Sequence, residues 1–352
     1  MFMTAETLDD LLLKIYRRLL RGKSSITPSK GECSDLHGVL LQIRNPRARV
    51  SRTEQRSTLF SCLGEFLWYI AGSNELNFIQ YYISRYDEFS DDGSTVHGAY
   101  GPRLFNMRGV DQVSNVIEKL NRSNDTRRAV IQLFNAEDLG CDVAVGRKDI
   151  PCTCTMQFSL RARQLHMFVT MRSNDAYLGL PHDIFAFTML HEIIARAVGA
   201  EVGTYKHAVG SLHLYSRNTD QATRYVDEGL QERIAMPSMP VGDPQPALDA
   251  LVAAERVIRL GGDVNIDQFE PYWADIVRLL LIQRHLKNRT SNSSRSIRAL
   301  AKKMSTTNYD ACIQQRVSRS QPMREPTEPS GLLFTPAELD AGMASLNTPT
   351  DT

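Results

Sequence analysis

Residues 58–71 read TLFSCLGEFLWYIA, apolar almost all the way round a helix and interrupted by one carboxylate, Glu65. A helix with a single apolar stripe lies on a surface, whereas one that is apolar on every side must be enclosed by other elements. The chain therefore has to build layers around this segment, and Glu65 is buried with it. A charged residue inside such a helix needs explaining. The 352 residues, 42% of them hydrophobic, suffice for one large core, or one core plus appendages, without metals or cross-links.

The rest of the pattern fits a layered α+β chain. Leu8, Leu11, Leu12, Ile15 and Leu19 fall at helical spacing between Thr4 and Gly22 as start and stop signals, which predicts a docking helix over 8–20. Residues 36–43 read as a strand. From Arg128 onward the runs AVIQLF, TCTMQFSLRA, LHMFVTMRS and VGTYKHAVGSLHLY are short and rich in β-formers, predicting neighbouring strands of a mixed sheet. Between the last two, Pro181 opens a segment to Val198 with Phe185, Leu190, Ile193, Ile194 and Ala197 on one side, a long helix packed on that sheet. Helices are expected again near 248–260, 269–286 and 294–304, with no catalytic motif. The organisation is thus a single catalytic domain over 1–320, its 241–320 part helical and divergent, and a Pro/Thr-rich tail over 321–352.

Lys and Arg number 41 against 40 Asp and Glu, so the net charge of +1 argues against a surface that coats nucleic acid or an anionic membrane. Any anion site is local. With no signal peptide and no apolar run near ~18 residues, the chain is expected in the cytoplasm, with its six cysteines reduced. The eight histidines form no HxxxH or CxxC-type ligand set, so no metal site is expected.

Two places carry chemistry. Pro151-Cys152 marks the junction of the loop GRKDIP and a strand, where a thiol can face a cavity from a rigid edge. Arg172-Ser173-Asn174-Asp175 ends the next strand and sets a guanidinium beside a hydroxyl, a pair suited to phosphate oxygens, and Arg127-Arg128 supplies more. Taken singly, Cys152 reads equally as a small core residue and the arginines as surface ion pairs.

The segments GEFLWYIAG (64–72), HGAYGPR (97–103), NDTRRAV (124–130), PCTCTMQF (151–158), MRSNDAYLGLPHDI (171–184) and GSLHLYSRN (210–218) together, in this order, resemble the thymidylate synthases. The resemblance implies that family's fold and a homodimer joined sheet to sheet. It implies Cys152 as the nucleophile that adds to carbon 6 of a pyrimidine 5′-monophosphate and makes carbon 5 able to attack the methylene of 5,10-methylenetetrahydrofolate. Nearby arginine charge is expected to lower the thiol's pKa. Glu65 matches the family's general acid/base and Tyr100 the tyrosine near the carbon 5 proton. Arg172 and Ser173 match phosphate ligands, while Arg127 and Arg128 match the pair given by the partner subunit. His213 and Tyr215 match sugar-hydroxyl ligands, and Gln157 is grouped with the nucleotide set. Asp175 matches the carboxylate facing the pterin, with Gly179 and Tyr86 on the folate side. Cys154 is expected on the same side as Cys152, in a structural role.

Departures from the pattern point to a related reaction. Asp183 stands where synthases acting on deoxyuridylate usually have asparagine; an ionised carboxylate only accepts hydrogen bonds, which opposes uracil's oxygen 4, whereas against cytosine a carboxylate can accept from the amino group and hold a proton toward N3. Its bland role would be to cap the helix at Pro181. Aspartate here also marks cytidylate hydroxymethylases, in which water rather than hydride completes the reaction. Tyr86 replaces a usual tryptophan, Thr153 a histidine and Ser211 an aspartate, and the end NTPTDT does not resemble a synthase's closing tail. Ala176 and Ser211-Leu212 leave room for a ribose 2′-hydroxyl, so the expectation is CMP, as in bacterial relatives of nucleoside-antibiotic biosynthesis, with dCMP as the other choice. Thymidylate synthase, dCMP methylase and a non-catalytic nucleotide-binding regulator remain as rival readings. No early-loop phosphate ligand can be picked from Lys30 or the 44–52 region.

Overall fold

In a computed structural model, the described residues are 1–22, 25–28, 30–53 and 58–319. The tail 321–352 lies outside them. Seven strands are described: β1 (Phe2–Ala5), β2 (Ser25–Ile26), β3 (Cys33–Ile43), β4 (Val130–Gln132), β5 (Thr153–Arg161), β6 (Gln164–Asp175) and β7 (Glu201–Tyr215). The helices are α1 (Leu8–Arg21), α2 (Leu59–Ile70), α3 (Leu76–Tyr82), α4 (Tyr100–Phe105), α5 (Gln112–Arg122), α6 (Ala136–Val145), α7 (Leu180–Ala197), α8 (Thr219–Glu228), α9 (Gln245–Arg259), α10 (Pro271–Lys287), α11 (Ser293–Lys302) and α12 (Asp310–Arg319). Met1–Arg316 form one compact unit, and nearly all of the second, Val317–Thr352, lies outside the described residues.

The strands make one mixed sheet in the order β1-β3-β7-β6-β5-β4, with β2 on β3. β1 runs parallel to β3 and β6 parallel to β7, and the remaining pairs are antiparallel. A parallel pair needs a crossover, and α7 is the crossover between β6 and β7. Along β6 the residues Leu165, Met167, Val169 and Met171 point into the core while Gln164, Phe168 and Arg172 do not, the period-two alternation of a sheet covered on one face. α7 lies on the covered face and is buried along almost its whole length.

The segment that opened the sequence reading is enclosed as its composition requires. α2 is buried from Leu59 to Tyr69 apart from Ser61 and packs against α3, α4, α7, α9 and α10. Its approach to α3 is so close that a Cβ at Gly64 would overlap the Tyr82 ring. The helical segments expected after residue 241 appear as α9, α10 and α11 with ends shifted by a few residues. At the N-terminus the start signal is Thr7, whose hydroxyl accepts the Asp10 N–H at 3.1 Å, and Thr4 instead lies in β1 opposite Gln42. Gly22 stops the helix as expected, its N–H reaching the Leu19 carbonyl.

Candidate active site

The topology brings one end of several elements together: the starts of β3, β5 and α7, and the ends of β6 and β7. Thr153 pairs with Met171, Asp175 with His213, and Asp35 with His213 from the other side. Cys152, Tyr100, Glu65 and Asp183 converge there and lie near enough to perturb one another's protonation.

Cys152 precedes β5, with its backbone carbonyl accepting the Arg172 N–H at 2.8 Å. Arg172 spends its guanidinium on the same loop: Nε donates to the Pro151 carbonyl at 3.0 Å and Nη2 to that of Ile150 at 2.8 Å. It thus holds the loop before Cys152 while keeping its charge beside the thiol. The thiol is nevertheless pushed up to about 11, because burial outweighs Arg172, and Asp183 and Asp149 add to the burial. The expected lowering by arginine is therefore overturned in the free chain: Arg172 and Lys30 act in the right direction but do not prevail. Lys30 rests 4.1 Å above the Phe89 ring and is the early-loop cation that reaches this thiol. From 44–52, Arg49 is consumed by Glu192 and Arg44 by Glu6.

Glu65 lies in the middle of α2 with two phenols on the same oxygen. Tyr69 donates to Oε1 at 2.9 Å and Tyr86 donates at 3.0 Å. The replacement of a tryptophan by Tyr86 thus puts a hydroxyl donor on this carboxyl group. Tyr86 also meets Trp68 edge-on at 5.5 Å and Phe89 at 5.3 Å, so the carboxyl borders an aromatic wall. Tyr100, at the start of α4, accepts from the Thr153 N–H at 3.1 Å and from its Oγ1 at 2.9 Å.

Asp183 does not cap α7, which has no side-chain cap. Its Oδ2 instead accepts from Asn174 Nδ2 at 2.6 Å. Its pKa is raised to about 8, by burial above all, with Glu65 and Asp175 pushing the same way and the Asn174 bond opposing them. Raised this far, the carboxyl favours its protonated form near neutral pH, in which it offers a donor as well as an acceptor. Gly179 lies immediately before α7, next to this carboxyl group. Asp175 uses Oδ1 to receive the N–H groups of Tyr177 at 2.8 Å and Leu178 at 3.0 Å, fixing the turn into α7.

His213 and Tyr215 stand side by side at the end of β7, ring centroids 4.9 Å apart. Ser211, where an aspartate was expected, donates to Asp35 Oδ1, so β3 supplies the carboxylate from another strand. Ser173 sits at the end of β6 between Arg172 and Asn174. Gln157 does not join this cluster. It lies five residues beyond Cys152 along the chain, on the order of 16 Å away at ~3.3 Å per residue, and donates to the Arg127 carbonyl at 3.4 Å. Arg127 and Arg128 are exposed at that same distant place. A β-bulge lies between Thr153 and Thr155, and Cys154, like Cys152, feels the charge of Arg172. Asp149, not singled out in the sequence, packs so closely on Gly98 that a Cβ there would overlap its carboxylate. Among the described residues no group of three His, Cys, Asp or Glu is arranged to hold a metal, and no helix is long and apolar enough to cross a membrane.

The family model described as thymidylate synthase matches residues 46–255, which contain Glu65, Tyr100, Cys152, Asp183 and His213. The chain belongs to the thymidylate synthase family. The matched region begins after β3 and stops within α9. Among curated proteins it is similar to the deoxyuridylate hydroxymethyltransferases of three phages. It is 31% identical to that of Delftia phage PhiW-14 over 222 residues, covering 59% of this chain and 61% of that protein. It is 33% identical to that of Pseudomonas phage M6 over 176 residues, 49% of each. It is 30% identical to that of Bacillus phage SP01 over 217 residues, 58% of this chain and 56% of that one. The chain thus spans about half to three-fifths of the length of these thymidylate synthase relatives.

Proposed function

We propose that the chain is a folate-dependent 5-hydroxymethylase of a cytosine nucleotide, CMP in preference to dCMP. Cys152, Glu65 and Tyr100 are assigned to the chemistry and Asp183 to the base. The observation that carries the reading is the position of the Asp183 carboxyl, buried in the first turn of α7, held on Oδ2 by Asn174 and facing the same space as Cys152, Tyr100 and Glu65, where burial raises its pKa. A neutral carboxyl can donate to cytosine N3 and accept from its amino group. Phage relatives named for hydroxymethyl transfer support that outcome over methylation.

The residues divide the work by position. Cys152 adds to carbon 6 as a thiolate, so its proton has to leave on or after nucleotide binding. Glu65, gripped on Oε1 by two phenols, is oriented to pass protons near the base. 5,10-Methylenetetrahydrofolate, when bound, supplies the one-carbon unit. The Tyr86–Phe89 wall and Asp175 fit a flat heteroaromatic ring with polar edges. Ser173 with Arg172 is assigned to the 5′-phosphate, and His213 with Tyr215 to the sugar. Ala176, fully buried beside the His213 backbone with its N–H donating to the His213 carbonyl at 2.8 Å, leaves the space next to the sugar to a small side chain, which favours ribose.

Arg127 and Arg128 stand far from their own Cys152. The sheet face beside them is left open, with Phe2 and Phe168 exposed along a groove shared with Leu40 and Ala208. Pairing of two such faces would carry each arginine pair toward the other subunit's phosphate, and we assign a homodimer on that basis. A second reading, deoxyuridylate as substrate, is favoured by the names of the relatives. Incubation with methylenetetrahydrofolate and, separately, CMP, dCMP, UMP and dUMP, with mass analysis of each product, decides. Gain of CH2O on CMP is expected. Gain on dUMP alone would establish the second reading, and gain of CH2 would mean methylation.

A further inference from the structure

We propose that Asn174 is a specificity-determining residue that acts through Asp183, fixing the order in which that carboxyl presents a donor and an acceptor to the pyrimidine edge. The inference rests on the reading that Asp183 faces the base, and it adds how an aspartate there becomes selective.

Asn174 ends β6 and is 3% exposed. Its Nδ2 donates to Asp183 Oδ2 at 2.6 Å and to Met171 Sδ at 2.9 Å, which uses both amide hydrogens. The opposite amide orientation would set Oδ1 against a carboxyl oxygen and a thioether sulfur, both electron-rich. Oδ1 itself is buried and has no hydrogen-bond partner among the described residues. For packing alone an apolar side chain would fill the space without stranding an acceptor, so the amide is there for its donors.

A carboxyl oxygen that receives an N–H cannot aim an acid proton at the same donor. The neutral acid therefore carries its proton on Oδ1 and keeps Oδ2 as acceptor. Cytosine presents an acceptor at N3 and a donor at position 4, and uracil presents the reverse. An acid whose proton moves freely between its oxygens serves both edges equally. Pinned by Asn174, it serves one. The groups facing Asp183 are Glu65 and Tyr69 from α2, Tyr100 from α4, Cys152 before β5, Asp175 from β6 and Tyr205 from β7. Among the described residues the side-chain hydrogen bond to Asp183 comes from Asn174, so the ordering of the proton is assigned to it.

The test is the ratio of dissociation constants for CMP and UMP, measured by calorimetry on wild type, Asn174→Ala and Asn174→Asp across pH. In Asn174→Ala the ratio should collapse about ten-fold toward unity, the size of one misplaced hydrogen bond. In Asn174→Asp, where an acceptor replaces the donor, it should move past unity to favour the other base. The pH at which the ratio changes should also rise in Asn174→Ala, because the amide stabilises the ionised carboxyl. A parallel loss of affinity for both bases with no pH shift, an unchanged ratio, or failure of both variants to fold would overturn the proposal and leave Asn174 a structural residue. A wild type that prefers UMP would instead overturn the cytosine reading while leaving the response of the ratio to Asn174 decisive. Binding needs no turnover, so failure of the hydroxymethylase reading is equally separable.

Discussion

Asp183 and Glu192 lie on the same helix, α7, and are held in opposite ways. Glu192, midway along, is fully buried against the equally buried Arg49, and its other oxygen accepts the Met239 N–H at 2.9 Å. Asp183, in the first turn, meets only the neutral amide of Asn174, with two further carboxylates nearby. One carboxylate has its charge matched inside the protein and joins α7 to the segment before α2. The other is left with charge unmatched, and is thereby poised to change protonation or to be matched by a ligand. Burial alone does not separate a structural from a functional acid; the partner does.

The comparison can be broken at either end. The largest effect is expected beside the helix start: Cys152→Ala should abolish turnover and carbon 5 tritium release while nucleotide binding changes only a few-fold, and persistent exchange would remove the covalent mechanism. Midway along α7, Arg49→Ala should cost about 3–5 kcal/mol in urea unfolding by stranding Glu192, whereas Arg49→Met combined with Glu192→Leu should recover most of it. If the single variant is as stable as wild type, the pair is not structural.

Smaller effects sharpen the contrast. Because the folded-state pKa of Asp183 is raised from 3.8 to about 8, its contribution to stability is complete below about 4 and declines as pH rises toward 8. Stability should fall by on the order of a few kcal/mol across that window, and Asp183→Asn should flatten the slope and shift preference toward uracil nucleotides. Equal slopes in the two proteins would refute the buried neutral acid. The smallest effect is on the thiol, which is raised to about 11 in part by Asp183. Alkylation of Cys152 by iodoacetamide should be slow at neutral pH, and its midpoint should move down in Asp183→Asn. A midpoint that stays put would mean that the two groups do not sense each other.

The parts of this arrangement that were legible in the sequence are those written in one stretch of chain. The enclosure of α2, the length of α7 and the four consecutive β-rich runs follow from local periodicity and composition. β1 was missed because a four-residue strand carries too little pattern, and only its pairing with β3 makes it one. Asp35 beside Ser211, Asn174 on Asp183 and Arg49 on Glu192 depend on register or on distant chain contact, which residue spacing does not encode. The thiol's direction of shift was misjudged for a related reason: a nearby arginine is visible in sequence, but the desolvation it has to overcome is not.

The clamp of Thr153 on Tyr100 gives the phenol a direction. A phenol oxygen has two acceptor positions, and here the Thr153 N–H and hydroxyl take both. Its own hydrogen is left to point elsewhere, and burial keeps that hydrogen attached well beyond physiological pH. Tyr100 is therefore a fixed pointer: it offers a hydrogen bond in one direction and holds on to the proton, and its oxygen can accept from a newcomer only once Thr153 lets go.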